Sequence, residues 1–352
     1  MTSTTLRQHF FRYCFGLALA IVTAALLVMQ QGESVTHFFN TIIGASFDNT
    51  TTLLDLARWT SPLLLSGMAF LVAARAGIFN TGVEGQVVVG ACAAAIAGST
   101  LPMTGLPLML GTTIAGCLGG LVWAFVPAVL YRRYRVNEVV ITLMMNYIAV
   151  LACNLVIRSY FLAESSEGNE SITVSSRPIE AAAQIPAFSG ASDAGWTLLP
   201  TAIIYLVLAV LILKSRWGYD LKAVGGSSRF AQYAGVQVRD VQFRAFLLSG
   251  ALGGLVGAFE VQGVLHRYID GALTDFGWNG ILVGLIGLNH PVGAVVSATF
   301  LGVLQNGQLA VQQMTNISPY MIKLIAALLI LCVAVDPLKA IIASMKRGRN
   351  DV

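Results

Sequence analysis

Long apolar runs alternate with short polar breaks along the whole chain. The runs occupy about 13–29, 60–75, 83–100, 107–130, 138–163, 198–214, 244–264, 276–289, 291–306 and 319–336. A helix crossing a bilayer needs ~20 predominantly apolar residues, so the pattern predicts an all-α polytopic membrane protein with about ten transmembrane helices. Several runs are shorter than that. They predict broken or re-entrant helices, whose freed backbone groups must face protein or a water-filled cavity. The first run has a rival reading as a cleaved signal peptide. It exceeds the ~7–15 residues of an h-region, and Gln30-Gln31-Gly32-Glu33 is no small-residue cleavage site, so it is read as a span.

The polar breaks orient the spans, because cytoplasmic loops carry the excess of Lys and Arg. With the N-terminus inside, beside Arg7 and Arg12, the loop near 31–59 falls outside with Glu33, Asp48 and Asp55 against Arg58. Arg132, Arg133 and Arg135 fall inside. The loop near 164–197 falls outside with Glu164, Glu167, Glu170, Glu180 and Asp193 against Arg177. The loop near 214–243 falls inside with Lys214, Arg216, Lys222, Arg229 and Arg239 against Asp220 and Asp240. The C-terminal tail, with Lys339, Lys346, Arg347 and Arg349, is also inside. The expected product is one transmembrane domain over 1–352 in the cell (inner) membrane, multi-pass, with both termini cytoplasmic and the lipid bilayer as its surroundings. Only the loops near 164–197 and 214–243 are sizeable.

Composition narrows the function classes. Charged residues make up 11% of the chain and hydrophobic ones 56%, against roughly 25% charged in a soluble domain. A soluble fold of this size cannot bury that much apolar surface, and a disordered chain needs the opposite composition. The net charge of +4 sits in clusters between apolar runs, which marks topology and gives no nucleic-acid patch. Cys14, Cys92, Cys117, Cys153 and Cys332 are scattered in or beside apolar runs without a C-x-x-C pair, and read as packing residues. His9, His37, His266 and His290 have no metal-type spacing, so no metal is expected. No Walker-type phosphate loop, G-x-S-x-G or H-E-x-x-H occurs. The chain pairs no nucleophile with a base, so no catalytic residue is expected, and any ATP hydrolysis must belong to another polypeptide.

Three stretches carry candidate chemistry. Residues 76–86 place Phe79, Asn80, Glu84 and Gln86 among three glycines, which let the backbone leave helical geometry. A helix restarting near Glu84 would aim its N–H groups into a cavity, as at the broken helices of transporters. An intramembrane carboxylate needs a partner, and Arg75 is the candidate. These polar residues serve either a substrate path or the tying together of broken helices. Residues 276–291 again join aromatic, amide and glycine through Trp278 and Asn279. Trp278 suits either stacking on a flat ligand or anchoring at the interface. Asn146 suits an interhelical hydrogen bond, and Glu260 suits the outer interface. Gly250/Gly254, Gly253/Gly257, Gly280/Gly284 and Ala115/Gly119 predict close helix crossings. In the third stretch, Gly225-Gly226 should break the chain. Ser227 or Ser228 should then cap a short helix ending near Ala234, with Gly235 at its C-cap. Such a helix fits a groove on a cytoplasmic partner or is a plain connector.

Taken together, these stretches resemble the permease subunits of nucleoside-type ABC importers, within the wider class of branched-chain amino acid and ribose permeases. The resemblance is carried by Gly77-Ile78-Phe79-Asn80-Thr81-Gly82-Val83-Glu84-Gly85-Gln86. It continues in Asn137-Glu138-Val139-Val140 with Met145-Asn146-Tyr147-Ile148, and in Lys222-Ala223-Val224-Gly225 through Tyr233-Ala234-Gly235-Val236. Glu260-Val261 and Gly280-Ile281 through Asn289-His290-Pro291-Val292-Gly293 complete it. The chain departs from the family pattern at Thr81 (usually Ile), Lys222 (usually Arg), Ser227 (usually Asn) and Asn279 (commonly acidic).

The resemblance implies a type II-like importer permease and places the ATPase-coupling loop at Lys222, Val224, Gly225, Arg229, Tyr233 and Gly235. The substrate path is expected at Phe79, Asn80, Glu84, Gln86, Asn146, Trp278 and Asn279. It implies a second, related permease as heterodimer partner, a cytoplasmic ABC ATPase carrying ATP and Mg, and an extracytoplasmic substrate-binding protein. No cofactor is expected on this chain. The cargo would be a nucleoside or a related heterocyclic or sugar-like solute, moved by alternating access. The alternative is a self-sufficient proton-coupled secondary transporter using Glu84 or Glu260.

Overall fold

The computed structural model describes residues 21–163 and 173–315, with Ala18 and scattered positions between 317 and 328. The basic residues of both termini, Glu164, Glu167 and Glu170, Cys14 and Cys332, and most of the last expected span lie outside the described residues.

The apolar runs become helices. In chain order these are α1 (Ile21–Gln30), α2 (Val35–Phe47), α3 (Thr50–Arg75), α4 (Val83–Thr100), α5 (Leu106–Tyr134), α6 (Glu138–Val156), α7 (Leu198–Lys214), α8 (Arg216–Gly226), α9 (Ser228–Tyr233), α10 (Val238–Glu260), α11 (Phe276–Ile286) and α12 (Pro291–Met314). α6 and α10 each end in a π-helical turn, Ile157–Phe161 and Val261–Leu265. Among the described residues six helices are long and apolar enough to cross a membrane. α7 and α8 add a pair bent by 68°. α11, with 11 residues, rises only about 16 Å against the ~30 Å of a bilayer core, as expected of a broken segment.

Two compact units result, one of residues 1–53 with 303–352 and one of 54–302. In the first, Asn306 Nδ2 donates to the Ala45 carbonyl at 2.7 Å, and Gly307 leaves room for Ile42. In the second, α4 and α10 are central: 72% and 83% of their apolar windows are buried, against 28% for α5 and α6. The exposed residues of α5 (Leu110, Ile114, Leu118, Val122) and α6 (Tyr147, Leu151, Leu155) recur every four positions and form apolar stripes suited to lipid.

Helix contact at the centre rests on missing side chains. A methyl group built at Gly90 of α4 would lie 2.8 Å from the Gly254 carbonyl carbon of α10. One built at Gly120 of α5 would lie 2.6 Å from the Gly254 nitrogen. Three backbones thus meet at one crossing, the close packing that the glycine spacing predicts.

Two expectations about charge are corrected here. Arg58 does not lie in a loop, because α3 starts at Thr50 and carries both Asp55 and Arg58. Glu260 does not reach an interface: it is buried and takes Arg58 Nη2 at 2.7 Å and Nη1 at 3.4 Å. A buried carboxylate needs such a partner, and this one lies 202 positions away.

The described part of the loop before α7 is pinned down. The N–H groups of Ser176, Ile179 and Ile185 donate to the carbonyls of Tyr268, His266 and Gln262. A hairpin of β1 (Ala187–Ser189) and β2 (Ser192–Gly195) follows, and Ser192 Oγ donates to Asp55 at 2.5 Å. Gln262 completes the fastening: it donates to the carbonyls of Met109 and Ala183 and accepts from Thr113 Oγ1.

Candidate functional site

α3 ends at Arg75, and Gly77 takes a φ of +75°, which glycine adopts without a side-chain clash. The chain then runs non-helically to Gly82 before α4 begins. Asn80 organises this turn from full burial. Its Oδ1 accepts from the Gly82 N–H at 2.9 Å, and its Nδ2 donates to Ser249 Oγ at 2.8 Å and Gln86 Oε1 at 3.3 Å. Asn146 of α6 holds the same turn from the other side. Its Nδ2 donates to the Thr81 carbonyl and its Oδ1 accepts from the Gly85 N–H, both at 2.9 Å. The Thr81 and Thr142 hydroxyls share a hydrogen bond of 2.6 Å, which gives the departure at Thr81 a partner.

Glu84 joins this turn to α11. Its Oε1 accepts from the Asp275 N–H at 2.7 Å, and its Oε2 from the Gly277 and Trp278 N–H groups at 2.7 and 3.3 Å. A helix start leaves N–H groups without intrahelical acceptors and carries about half a positive charge. Glu84 satisfies three of these groups and also stands in the first turn of its own helix. One carboxylate therefore neutralises the positive ends of two half-helices. Gly277 lets them meet, since a Cβ there would strike the Glu84 backbone and lie 2.8 Å from Oε2. Asp275 reaches its position only with a φ of +77°, a left-handed strain that the bond to Glu84 holds.

The expected Arg75–Glu84 pair does not form. Arg75 Nε donates instead to the Asn289 carbonyl at 2.8 Å. A helix start offers Glu84 several donors at once, and Arg75 stands at the opposite end of the intervening turn.

The seven residues expected along a path fall into two groups. Asn80, Glu84, Gln86 and Asn146 are buried and engaged with protein. Phe79 and Trp278 are 38% and 40% exposed, and Asn279 is half-buried. Phe79 is steadied edge-on by Phe70, with ring centroids 5.1 Å apart. Ser249 and Thr142 were not singled out by sequence, because a small hydroxyl in an apolar helix is common and its only signal is the partner it meets.

The second cluster is α8–α9. α8 runs through Gly225 and ends on Gly226, and the chain breaks at the extended Ser227 directly after the glycine pair. Gly225 serves close approach: a Cβ there would strike the Arg75 carbonyl and lie 3.2 Å from the Gly77 nitrogen. Ser227 Oγ accepts from the Phe230 N–H at 3.3 Å and caps α9, and Gly235 has a φ of +85°. Val224 is buried, whereas Lys222, Arg229, Phe230 and Tyr233 face out, Tyr233 at 92% exposure. Gln242 Nε2 donates to the Ala76 carbonyl. The chain from α8 to α11 is thus one of direct contacts: Gly225 on Arg75 and Gly77, the Asn80 turn, then Glu84 on Gly277. Among the described residues no group of His, Cys, Asp or Glu is placed to hold a metal ion.

Comparison with known proteins fits this arrangement. The family model of the branched-chain amino acid transport system / permease component matches residues 52–334. The guanosine ABC transporter permease protein NupP of Bacillus subtilis is 34% identical over 336 residues, 93% of each chain. The nucleoside ABC transporter permease protein NupB of Lactococcus lactis is 24% identical, over 91% of this chain and 89% of its own. The glucose ABC transporter permease protein TsgB13 of Haloferax volcanii is 28% identical, over 82% of this chain and 78% of its own. With membrane-length helices broken at Glu84 and α11, and a family match over most of its length, this chain belongs to the branched-chain amino acid transport system / permease component family.

Proposed function

We propose that this chain is the transmembrane permease subunit of an ABC importer that carries nucleosides or related heterocyclic solutes inward by alternating access. In this reading both termini and α8–α9 face the cytoplasm. A cytoplasmic ATPase holds ATP and Mg and pushes on Lys222, Val224, Gly225, Arg229, Tyr233 and Gly235. A second permease and an extracytoplasmic binding protein complete the importer. The cargo passes Phe79, Trp278 and Asn279, while Asn80, Glu84, Gln86 and Asn146 hold the helix breaks that line its way.

The observation that carries the reading is the unbroken contact from Gly225 through Gly77 to Glu84 and α11. Displacement of α8–α9 has a direct mechanical route to the junction of the two half-helices. The similarity to guanosine and nucleoside permeases supports the cargo class. A neutral solute also suits a junction whose helix dipoles are already neutralised by Glu84. The proton-coupled alternative gains nothing from the geometry, since Glu84 is committed to three N–H groups and Glu260 to Arg58.

Purification of the tagged permease should bring down an ATPase and a second permease, identified by mass spectrometry. In proteoliposomes with the binding protein, that complex should take up radiolabelled guanosine only when ATP is supplied. Uptake driven by a proton gradient without ATP would overturn the proposal. Tyr233→Ala should leave expression and melting unchanged, because its ring touches almost nothing, yet reduce ATP-coupled uptake about tenfold. Full uptake with that variant would remove α9 from the coupling role. Gly225→Ala is a poorer probe, since its methyl group disturbs packing as well.

A further inference from the structure

A cleft of about 690 Å³ opens beside α8, walled by the ends of α3, α7 and α8 and by the turn before α12. Its lining includes Arg75, Lys214, Lys222 and His290 and, among the described residues, no carboxylate. Burial, then the neighbouring Arg75, push the His290 imidazole below its ordinary value, so the positive charge at neutral pH rests on the other three. Arg75 Nε is bonded to the Asn289 carbonyl, and among the described residues none accepts from its Nη atoms.

Part of this charge answers the helix ends. α3, α7 and α8 all finish here, each contributing about half a negative charge. The C-terminal end of α11 adds to them and the N-terminal ends of α8 and α12 offset them, so the helix ends sum to about one negative charge and the three cations leave a positive surplus of about 2. Beside the cleft the surface turns apolar, with Leu211, Leu213 and Leu288 between 41% and 50% exposed. Cations under an apolar rim fit an amphiphilic anion better than a purely ionic one.

We propose that this cleft binds a phosphate group, delivered as the headgroup of an anionic phospholipid whose acyl chains lie along α7. The guanidinium of Arg75 and the ammonium groups of Lys214 and Lys222 would donate to the phosphate oxygens. Such a ligand would sit against Gly225 and Arg75, at the first link between α8 and the half-helix junction. The orientation toward the inner leaflet rests on the topology proposed above. The binding chemistry does not, so the experiment reads binding and not uptake.

The complex as purified would be delipidated in mild detergent, mixed with equal phosphatidylglycerol and phosphatidylcholine, and examined by native mass spectrometry. Retention of phosphatidylglycerol over phosphatidylcholine is expected. It should weaken about tenfold or more in the Lys214→Gln/Lys222→Gln pair, each lysine near a lipid surface contributing about fivefold. The Lys214→Arg/Lys222→Arg pair should retain it, which separates lost charge from misfolding. A parallel arm titrates inorganic phosphate alone. Saturable phosphate binding that the Gln pair abolishes, without lipid selectivity, supports the phosphate chemistry with a soluble source. Equal retention of both lipids with no phosphate binding overturns the proposal, as does full phosphatidylglycerol retention by the Gln pair.

Discussion

Glu84→Ala is expected to abolish uptake and to lower the melting temperature of the detergent-solubilised permease. The substitution strips the acceptor from three N–H groups, that of Gly277 buried and those of Asp275 and Trp278 partly so. A buried, unsatisfied group costs about 1–3 kcal/mol, which applies to the Gly277 N–H; the part-buried Asp275 and Trp278 N–H groups add less, because water can reach them. The strain at Asp275 also loses its restraint. Glu84→Gln should fall between: its carbonyl oxygen keeps one or two donors, but its NH2 faces donors, and the positive ends of two helices lose their counter-charge. Uptake should drop at least about tenfold while the fold persists, the lost charge being about 0.3–1 kcal/mol per helix end. The measurement is ATP-dependent uptake in proteoliposomes beside a thermal melt followed by size-exclusion fluorescence. Wild-type melting and uptake in Glu84→Ala would show that α11 does not depend on this carboxylate.

Gly254→Leu should prevent the permease from folding. Any Cβ at this position meets backbone of α5, with the Gly120 nitrogen 2.9 Å and Cα 3.0 Å away. Ordinary overpacking costs about 1–3 kcal/mol because side chains can turn aside. Here the obstacles are main-chain atoms of α5, at Gly116 and Gly120, so relief requires α10 and α5 to separate, and the cost should exceed that range. Gly190→Ala is the control: nothing lies within 4 Å of its added methyl group, and it should change stability by less than about 0.5 kcal/mol. Comparable monodisperse yield from Gly254→Leu and wild type would contradict the three-helix crossing.

Much of the local architecture was legible in the chain itself. Apolar runs mark the helices because a bilayer requires about the same length of every span. Ser227 caps α9, since a cap needs only neighbouring residues. The restart at α4, the shortness of α11 and the small-residue crossings follow from the same short-range pattern, as does the resemblance that spans most of the length. The boundaries were less legible. α3 begins ten residues before its apolar run, because the Asp55 and Arg58 that interrupt hydrophobicity find partners in Ser192 and Glu260.

The pairing of polar groups was decided by tertiary structure alone. Glu84 meets Gly277 across 193 positions, Arg58 meets Glu260 across 202, and Arg75 meets Asn289 across 214. Composition says that each buried charge needs a partner, but not which one. In a medium that offers no water, the partner is whichever donor or acceptor the packed helices bring within about 3 Å. That distance depends on crossings such as the one at Gly254, which only the assembled helices define. The sequence by itself therefore determined that the chain spans a membrane, where its helices break and which residues are polar there. Which of those residues fasten the breaks, and which are left exposed, followed from helix packing.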